Sequence, residues 1–334
     1  MPAVHRRRQL LSALGALCCT PWAAAQSGGS RPLVFGLITP RASEQMLENW
    51  RPFTDRMATA LRQPVEPRAF TDSADLVTAF RGGQIDFAWL GNAPALDVVE
   101  SGTGAVFAQM VTKEGSHGYH SVLVVPADSK LRTLGEVLAA GRTLRFADGD
   151  LKSTSGHLVP YYFAFQKNGI NDTTALFKSV THGSHQKNMT QVAEGAVDVA
   201  TANTEEMQFF AHDFPALAAK LRVVWESPLI PQSPLLWRTT LPADVRKRAL
   251  EFVTAFGAKD PAQKKILEKL NNLSGFRQSN NRQLVPVADI EMFKARQAIN
   301  NDTGLAPEQR AKRIDEAIRR GSRLDLLLKI TAGF

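Results

Sequence analysis

The sequence is poor in cysteine. Its 334 residues include only Cys18 and Cys19, so the chain beyond residue 26 offers no disulfide, no thiolate metal ligand and no cysteine nucleophile. After the first 25 residues no apolar run approaches the roughly 20 residues that a membrane-spanning helix needs. We therefore expect that the main part of the chain is not an integral membrane protein.

The sequence also lacks a basic stripe. Lysine and arginine number 40 against 32 acidic residues, a net charge of +8, but the two signs are interspersed along the chain. Nucleic-acid binding usually shows a clustered basic surface or a recognisable reading motif, and neither is visible. The composition argues against a nucleic-acid partner and is compatible with an anionic ligand.

The N-terminus has the features of an export signal. Arginines at 6–8 precede the apolar stretch 10–17, and alanines at 23–25 supply the small residues of a cleavage site. We predict a signal peptide over 1–25, cut after Ala25. The arginines also fit twin-arginine export, although the basic start of a general secretory signal explains them more simply.

Hydrophobic patterns predict alternating strands and helices over most of the chain. The predicted strands are Leu33–Thr39, Ile85–Leu90, Tyr119–Val125, Thr143–Ala147, Leu176–Val180, Ala196–Ala200 and Leu221–Trp225. The predicted helices are the stretch with Trp50, Phe53, Met57 and Leu61, then Leu76–Phe80, Leu158–Lys167 and most of the chain after Arg238, including a charged segment from Pro307. Such alternation is typical of an α/β protein with a mostly parallel sheet, and the length suits two domains.

Polar loops follow three of these strands, where open α/β sheets bind their ligands. Loop Gly149–Gly156 carries three hydroxyls at a predicted helix start, and loop Thr181–Gln186 places His185 before another helix. Backbone N–H groups at such helix starts suit a tetrahedral oxyanion, but helix capping is the commoner role of an isolated serine and threonine cluster. A third loop, Thr204–Glu206, offers carboxylates that either meet a cation or simply face solvent.

Several longer segments resemble the phosphonate-binding periplasmic proteins of phosphonate ABC transporters, within the type II periplasmic binding-protein superfamily. The resemblance extends from about Leu33 to about Ala298. The segments that carry it are 84–92 (QIDFAWLGN), 118–123 (GYHSVL), 153–156 (STSG), 197–201 (VDVAT) and 227–231 (SPLIP).

The resemblance implies an α/β, two-lobed type II periplasmic binding-protein fold with two hinge crossovers and a helical C-terminal region. Lobe 1 is expected at 26–125 plus 235–334, and lobe 2 at 126–234. The implied function is periplasmic capture of a phosphonate, such as 2-aminoethylphosphonate or another alkylphosphonate, and its delivery to the membrane permease of an ABC importer. No cofactor, metal or enzymatic activity is expected.

The resemblance also implies roles for individual residues. The residues expected to contact the phosphonate oxygens are Tyr119, Ser153, Thr154, Ser155 and His185. Glu205 corresponds to the carboxylate that faces the ammonium group of 2-aminoethylphosphonate. Ser73 and Ser233 also face the substituent, and they stand where the family has a tyrosine and an aspartate. The family's aspartate would give the ammonium group a charged hydrogen bond, which contributes about 1.5 to 3 kcal/mol, and the uncharged Ser233 does not replace it. We therefore expect secure binding of the phosphonate head and an open choice of substituent.

Rival functions are compatible with parts of the same pattern. Ser155, His185 and Glu205 have the residue types of a hydrolase triad, but no Gly-x-Ser-x-Gly elbow surrounds the serine. Within the binding class, phosphite, phosphate or a sulfonate suits a helix-terminus oxyanion site as well. Glu205 would repel the charge of phosphate, which favours a ligand with a cationic or donor-bearing tail.

Histidine pairs raise a metal-binding alternative. His182 and His185 lie three positions apart in a loop, whereas His117 and His120 lie near a strand, where odd spacing sends side chains to opposite faces. Without an additional acidic or histidine cluster, the sequence does not favour a metal site.

Overall fold

The computed structural model describes residues 31–38, 43–113, 115–116, 118–270 and 272–330. From Pro32 onward these residues form one compact unit. The predicted signal peptide with its cleavage site lies outside the described residues, as does His117. None of the described helices combines the length and the hydrophobicity needed to cross a lipid bilayer.

Strands and helices alternate through most of the described chain. The strands are β1 (Leu33–Ile38), β2 (Val65–Phe70), β3 (Phe87–Trp89), β4 (Gly104–Thr112), β5 (Gly118–Tyr119), β6 (Ser121–Pro126), β7 (Arg145–Gly149), β8 (Ser179–Gly183), β9 (Val199–Asn203), β10 (Leu221–Glu226), β11 (Ile230–Pro231), β12 (Pro234–Arg238) and β13 (Leu273–Gln278). The α-helices are α1 (Ser43–Leu61), α2 (Ser73–Arg81), α3 (Asn92–Glu100), α4 (Leu134–Ala140), α5 (Thr173–Leu176), α6 (His185–Ala193), α7 (Thr204–Asp213), α8 (Pro215–Ala218), α9 (Ala243–Ala255), α10 (Pro261–Lys269), α11 (Val285–Asn301) and α12 (Pro307–Ile330). Shorter helical turns occupy Gly141–Thr143, Thr154–Leu158, Tyr161–Phe165, Gln166–Asn168 and Asn281–Leu284. The predicted α/β class is confirmed.

The strands form two main sheets, both of them mixed. The first has the order β13-β4-β12-β3-β1-β2 and the second the order β10-β6-β9-β7-β8. Parallel pairing is confined to β1 with β2 and β3, and to β7 with β8 and β9. Strands β12 and β13 run antiparallel to their neighbours in the first sheet, and β6 does so in the second. The expectation of a mostly parallel sheet is therefore wrong. Strands β6 and β12 enter in the opposite direction after a passage between the sheets, and β13 adds an antiparallel edge to the first sheet.

Two neighbouring connections join the sheets. Strand β5 links β4 to β6, strand β11 links β10 back to β12, and the two pair antiparallel with Tyr119 opposite Ile230. The backbones approach so closely that a Cβ atom at Gly118 would lie 2.2 Å from the Ile230 carbonyl oxygen. Only glycine fits this position. The predicted pair of crossovers is confirmed.

The residue boundaries of the two lobes remain a prediction. Strand β6, Ser121–Pro126, pairs within the second sheet, although lobe 1 was expected to extend to residue 125. Strand β12 begins the return to the first sheet at Pro234. By sheet membership the first change of sheet falls before Ser121 and the second falls at Pro234.

The aromatic face of α1 anchors the first sheet. Trp50, Phe53, Met57 and Leu61, predicted as one helix face, are each at most 1% exposed. The Phe53 ring meets the Phe256 ring edge-on, with centroids 4.9 Å apart. Full burial of side chains of this size contributes roughly 1.5 to 3 kcal/mol each. Helix α1 is therefore held firmly against the first sheet.

Three segments differ from the sequence expectations. Strand β13 lies in the C-terminal region that was expected to be helical. It was not predicted, because its sequence LSGFRQ buries only two of six side chains and lacks clear alternation. The predicted strand Tyr119–Val125 is interrupted at His120, where the chain enters the second sheet. The predicted helix Leu158–Lys167 begins earlier and contains π-helical turns, but it ends as expected at Gly169, whose φ is +80°.

Candidate functional site

A cleft of about 600 Å³ opens where loops from both sheets meet. The residues that the sequence assigns to a ligand all line this cleft, namely Ser73, Tyr119, Ser153, Thr154, Ser155, His185, Glu205 and Ser233. They come from positions far apart in the chain, since strands of both sheets end here. Their contacts with a ligand remain predictions, whereas their contacts with one another are described below.

The loop after β7 turns tightly before a helical segment. Ser153 precedes the turn Thr154–Leu158, and its Oγ accepts a hydrogen bond from the Gly156 backbone N–H at 2.9 Å. A Cβ atom at Gly149 would lie 2.5 Å from the Gly156 Cα, so the tightness of this loop depends on glycine. Helix capping is thus the observed role of Ser153. Its hydroxyl hydrogen is still able to donate to an oxyanion.

Thr154 joins this loop to the first sheet's helices. Its Oγ1 accepts a hydrogen bond from the backbone N–H of Ala93 at 2.8 Å, in the first turn of α3. The side chain is buried, and its hydroxyl hydrogen remains available for donation. A threonine in this position is able to hold the two sides of the cleft together and donate to a ligand at the same time.

Ser155 is the centre of a buried polar group. Its Oγ lies 3.2 Å from Nε2 of His185 and accepts a hydrogen bond from Nδ2 of Asn203 at 3.1 Å. Its backbone carbonyl accepts a bond from the Ser121 hydroxyl at 2.6 Å. The serine is only 3% exposed, so its hydroxyl has a defined direction rather than free rotation in solvent.

Tyr119 lies in the first crossover and contributes a phenol to the same group. Burial raises the pKa of the Tyr119 phenol far above its ordinary value, and the charges of Glu205 and Glu206 raise it further, whereas a hydrogen bond with Ser155 opposes the shift. The phenol therefore keeps its proton throughout the physiological range. It is therefore able to donate a hydrogen bond.

His185 is the first residue of α6, after the capping residue Ser184, whose Oγ accepts from the Lys187 N–H at 3.3 Å. Burial lowers the pKa of the His185 imidazole below its ordinary value, and this outweighs the opposite effects of Glu206 and of the Thr201 backbone carbonyl. The ring is neutral at neutral pH in the ligand-free protein. An anion beside it would favour the protonated form.

The two glutamates stand at the start of α7. The Oε1 atom of Glu205 accepts a hydrogen bond from Nε2 of Gln232 at 2.6 Å. Asn203 caps the helix through its Oδ1, which accepts from the Glu206 N–H at 2.8 Å. Both carboxylates line the cleft, and their charges raise the pKa of the Tyr119 phenol, so acidic groups and hydrogen-bond donors lie near one another in the cavity.

Ser73 and Ser233 line the part of the cleft that belongs to the first sheet. Ser73 begins α2, next to the capping residue Asp72, and Ser233 follows Gln232 just before β12. Trp89, at the end of β3, lines the same cleft and is 8% exposed. Ser73, Ser233 and Trp89 give the cleft both polar and apolar lining.

Sequence reasoning assigned no specific ligand contact to several other residues that line the cleft, although the polar loops it identified include four of them. They are Thr71, Asp72, Trp89, Asp150, Lys152, His182, Asn203 and Glu206. Their common signal is a position at or just after the end of a strand, which identifies an edge of a sheet but not which side chains turn inward. Among them Lys152 forms an ion pair with Asp97 of α3 at 3.0 Å, a second link across the cleft.

The rival site types find less support in the geometry. In the described part of the chain no carboxylate is hydrogen-bonded to the His185 ring, and the Glu205 carboxylate is engaged by Gln232, so these residues do not form a triad. Histidine, cysteine and acidic side chains form no group of three or more that would hold a metal, as far as the described residues are concerned. Instead, Nδ1 of His182 lies 3.1 Å from the Gly149 carbonyl oxygen.

Comparison with known proteins places this cleft in context. Residues 35–284 match the family described as "ABC transporter, phosphonate, periplasmic substrate-binding protein". The chain is 36% identical over 286 residues to the phosphonates-binding periplasmic protein of Escherichia coli K12, covering 86% of this chain and 83% of that protein.

Solved structures show the same fold. A binding-protein component of an ABC phosphonate transporter from Pseudomonas aeruginosa aligns with a TM-score of 0.80 and 35% identity, covering 88% of this chain and 97% of that one. PhnD1 of Prochlorococcus marinus, in complex with methylphosphonate, aligns with a TM-score of 0.70 and 22% identity, covering 78% and 98%. The expected two-lobed periplasmic binding-protein fold is confirmed.

Proposed function

The chain belongs to the family of periplasmic phosphonate-binding proteins of ABC transporters, and we propose that it captures a phosphonate in the cleft described above and delivers it to a membrane permease. The convergence of Tyr119, Ser155 and His185 in this cleft carries the proposal. A protonated phenol, a buried hydroxyl and an imidazole form a set of donors suited to the oxygens of a phosphonate head. Ser153 and Thr154 supply two further hydroxyls.

The acidic lining of the cleft suits a substituent that donates hydrogen bonds. Glu205 provides a carboxylate, and the small side chains of Ser73 and Ser233 line the same cleft as Trp89. A carboxylate beside an ammonium group forms a charge-assisted hydrogen bond, whereas it repels the charge of a bare oxyanion. This favours 2-aminoethylphosphonate or another donor-bearing alkylphosphonate over phosphite, phosphate or a sulfonate.

We further propose that ligand capture closes the cleft between lobe 1, at 26–125 plus 235–334, and lobe 2, at 126–234, with sheet membership favouring a first boundary before Ser121. The bond from Ala93 to Thr154 and the ion pair of Lys152 with Asp97 support this, because both join α3 to the loop after β7. Contacts of this kind stabilise a closed form, and the ligand adds to them from both sides.

Location and mode of action follow from the family. Its members are substrate-binding transport proteins, which have a small-molecule ligand and a membrane permease as partners. We propose that this chain acts in the periplasm after cleavage following Ala25 has removed residues 1–25. We also propose that it acts by binding alone, since no carboxylate orients His185 toward Ser155 within the described residues.

Calorimetric titration tests the proposal directly. The protein spanning 26–334 would be titrated with 2-aminoethylphosphonate, ethylphosphonate, methylphosphonate, phosphite, phosphate and an alkanesulfonate. We expect phosphonates to bind more tightly than the other anions, and Glu205→Ala to weaken only the amine-bearing ligand. Glu194→Ala, which changes an exposed glutamate remote from the cleft, is the matched control. Absence of phosphonate binding, with retained binding of another oxyanion, would overturn the proposed ligand class.

A further inference from the structure

The carboxylate of Glu205 is positioned by a residue from the other side of the cleft. Gln232 lies between β11 and β12, whereas Glu205 lies in the first turn of α7, yet Nε2 of Gln232 donates to Oε1 of Glu205 at 2.6 Å. Gln232 is 1% exposed. A short bond from a fully buried amide to a carboxylate that lines the cleft is a directed contact rather than a solvated surface pair.

Gln232 is itself fixed by a network of amides. Its backbone carbonyl accepts hydrogen bonds from Nε2 of Gln109 at 3.3 Å and from Nε2 of Gln283 at 3.1 Å. Its own Oε1 accepts from the Ser233 N–H at 3.3 Å. Because both the backbone and the side-chain oxygen of Gln232 are bonded, the plane of its amide is held in place, and one of its two N–H groups is directed at Glu205.

The preceding residue is fixed in the same way. Nδ2 of Asn92 donates to the Pro231 carbonyl oxygen at 2.8 Å, and Nε2 of Gln283 donates to Oδ1 of Asn92 at 3.2 Å. The junction between β11 and β12 is therefore a rigid base. An unrestrained glutamate loses rotamer freedom when a ligand orders it, and this loss weakens binding. A carboxylate already oriented in the free protein avoids much of that cost, which is the general advantage of preorganisation.

We propose that Gln232 is a positioning residue for substituent selectivity. It holds the Glu205 carboxylate in the orientation that accepts a hydrogen bond from a donor on the phosphonate substituent, an amine or a hydroxyl. Gln232 itself acts through Glu205 and does not recognise the phosphonate head. This inference rests on the proposed function, because it concerns the far end of the same ligand.

The test compares two ligands that differ in one group. Dissociation constants of 2-aminoethylphosphonate and ethylphosphonate would be measured by calorimetry for the unsubstituted protein and for Gln232→Met, which keeps the side-chain length and removes the N–H donors. We expect the preference for the amine-bearing ligand to fall about tenfold, in line with partial loss of one charge-assisted bond, and ethylphosphonate affinity to stay within about twofold.

Two further variants distinguish a positioning role of Gln232 from a general disturbance of the fold. Gln84→Met makes the same change at an exposed glutamine that does not line the cleft, so the ligand preference should persist. Gln232→Asn keeps an amide but shortens the side chain, so it should reproduce the loss of preference if Gln232→Met folds poorly. Thermal unfolding of each variant checks the fold.

Each possible result of these titrations either supports or overturns the inference. An equal loss of affinity for both ligands in Gln232→Met would identify a purely structural role and overturn the inference, and so would an unchanged preference. Tighter amine binding would show that the amide competes with the ligand for Glu205, which also overturns it. If the unsubstituted protein binds neither phosphonate, the proposed function fails together with the inference.

Discussion

The Oγ atom of Ser155 lies 3.2 Å from Nε2 of His185, although the two residues lie in the first turns of helical segments that follow different strands. The contact brings together two loops that the sequence identified separately. It also makes the serine the point at which an oxyanion would meet donors from both loops.

Replacing Ser155 by alanine is expected to weaken phosphonate binding about 10- to 100-fold, because hydrogen bonds to charged groups contribute about 1.5 to 3 kcal/mol. The loss should be similar for 2-aminoethylphosphonate and ethylphosphonate, since the serine meets the head they share. Calorimetry measures both. Ser101→Ala, at an exposed serine after α3, serves as the control, and an undiminished affinity of Ser155→Ala would remove this serine from the proposed head site.

The neutral His185 side chain predicts a pH dependence of stability. Because burial lowers its pKa in the folded protein, the unfolded chain binds a proton near pH 6.5 that the folded chain does not yet bind. The free energy of unfolding should therefore fall as pH decreases below about 6.5. Urea unfolding at several pH values, with ligand absent, measures this for the unsubstituted protein and for His185→Gln. The variant should lose less stability on acidification, and parallel curves for the two proteins would refute the prediction.

Thr154 is expected to control closure of the cleft. In Thr154→Val the methyl group cannot accept the bond from the Ala93 N–H, whereas Thr154→Ser keeps the hydroxyl. We expect the valine variant to bind phosphonates at least about tenfold more weakly and the serine variant to stay within a fewfold of the original. Small-angle scattering with and without ligand reports compaction. Equal behaviour of the two variants would show that the hydroxyl is dispensable.

Gly118 is expected to be necessary for the stability of the paired crossovers β5 and β11. The Cβ of Gly118→Ala would collide with the Ile230 carbonyl, and overpacking of this kind costs roughly 1 to 3 kcal/mol. Denaturant unfolding measures the change. Gly275→Ala is the matched control, because the nearest atom to a Cβ there is 3.6 Å away and the contact is ordinary. A loss no larger at Gly118 than at Gly275 would show that the two crossovers separate easily.

Periodicity and loop chemistry predicted much of the fold. The face formed by Trp50, Phe53, Met57 and Leu61 was predictable because large apolar residues at helical spacing must be buried together. Strand β13 was not predictable, because its stability comes from pairing with β4 rather than from its own composition. The prediction of strand direction failed for the same reason, since the local sequence of β12 contains no information on which strand it will pair with.

The sequence by itself determined the kinds of group in the site and their place at strand ends, because hydroxyls, a histidine and a carboxylate there are properties of local composition. It did not reveal that Thr154 bonds Ala93 or that Gln232 bonds Glu205. Such contacts join residues that the chain separates widely, and only the packing of two sheets through paired crossovers brings them within hydrogen-bond distance. Tertiary structure alone therefore decided which polar side chains share one cleft and which of them hold the others in position.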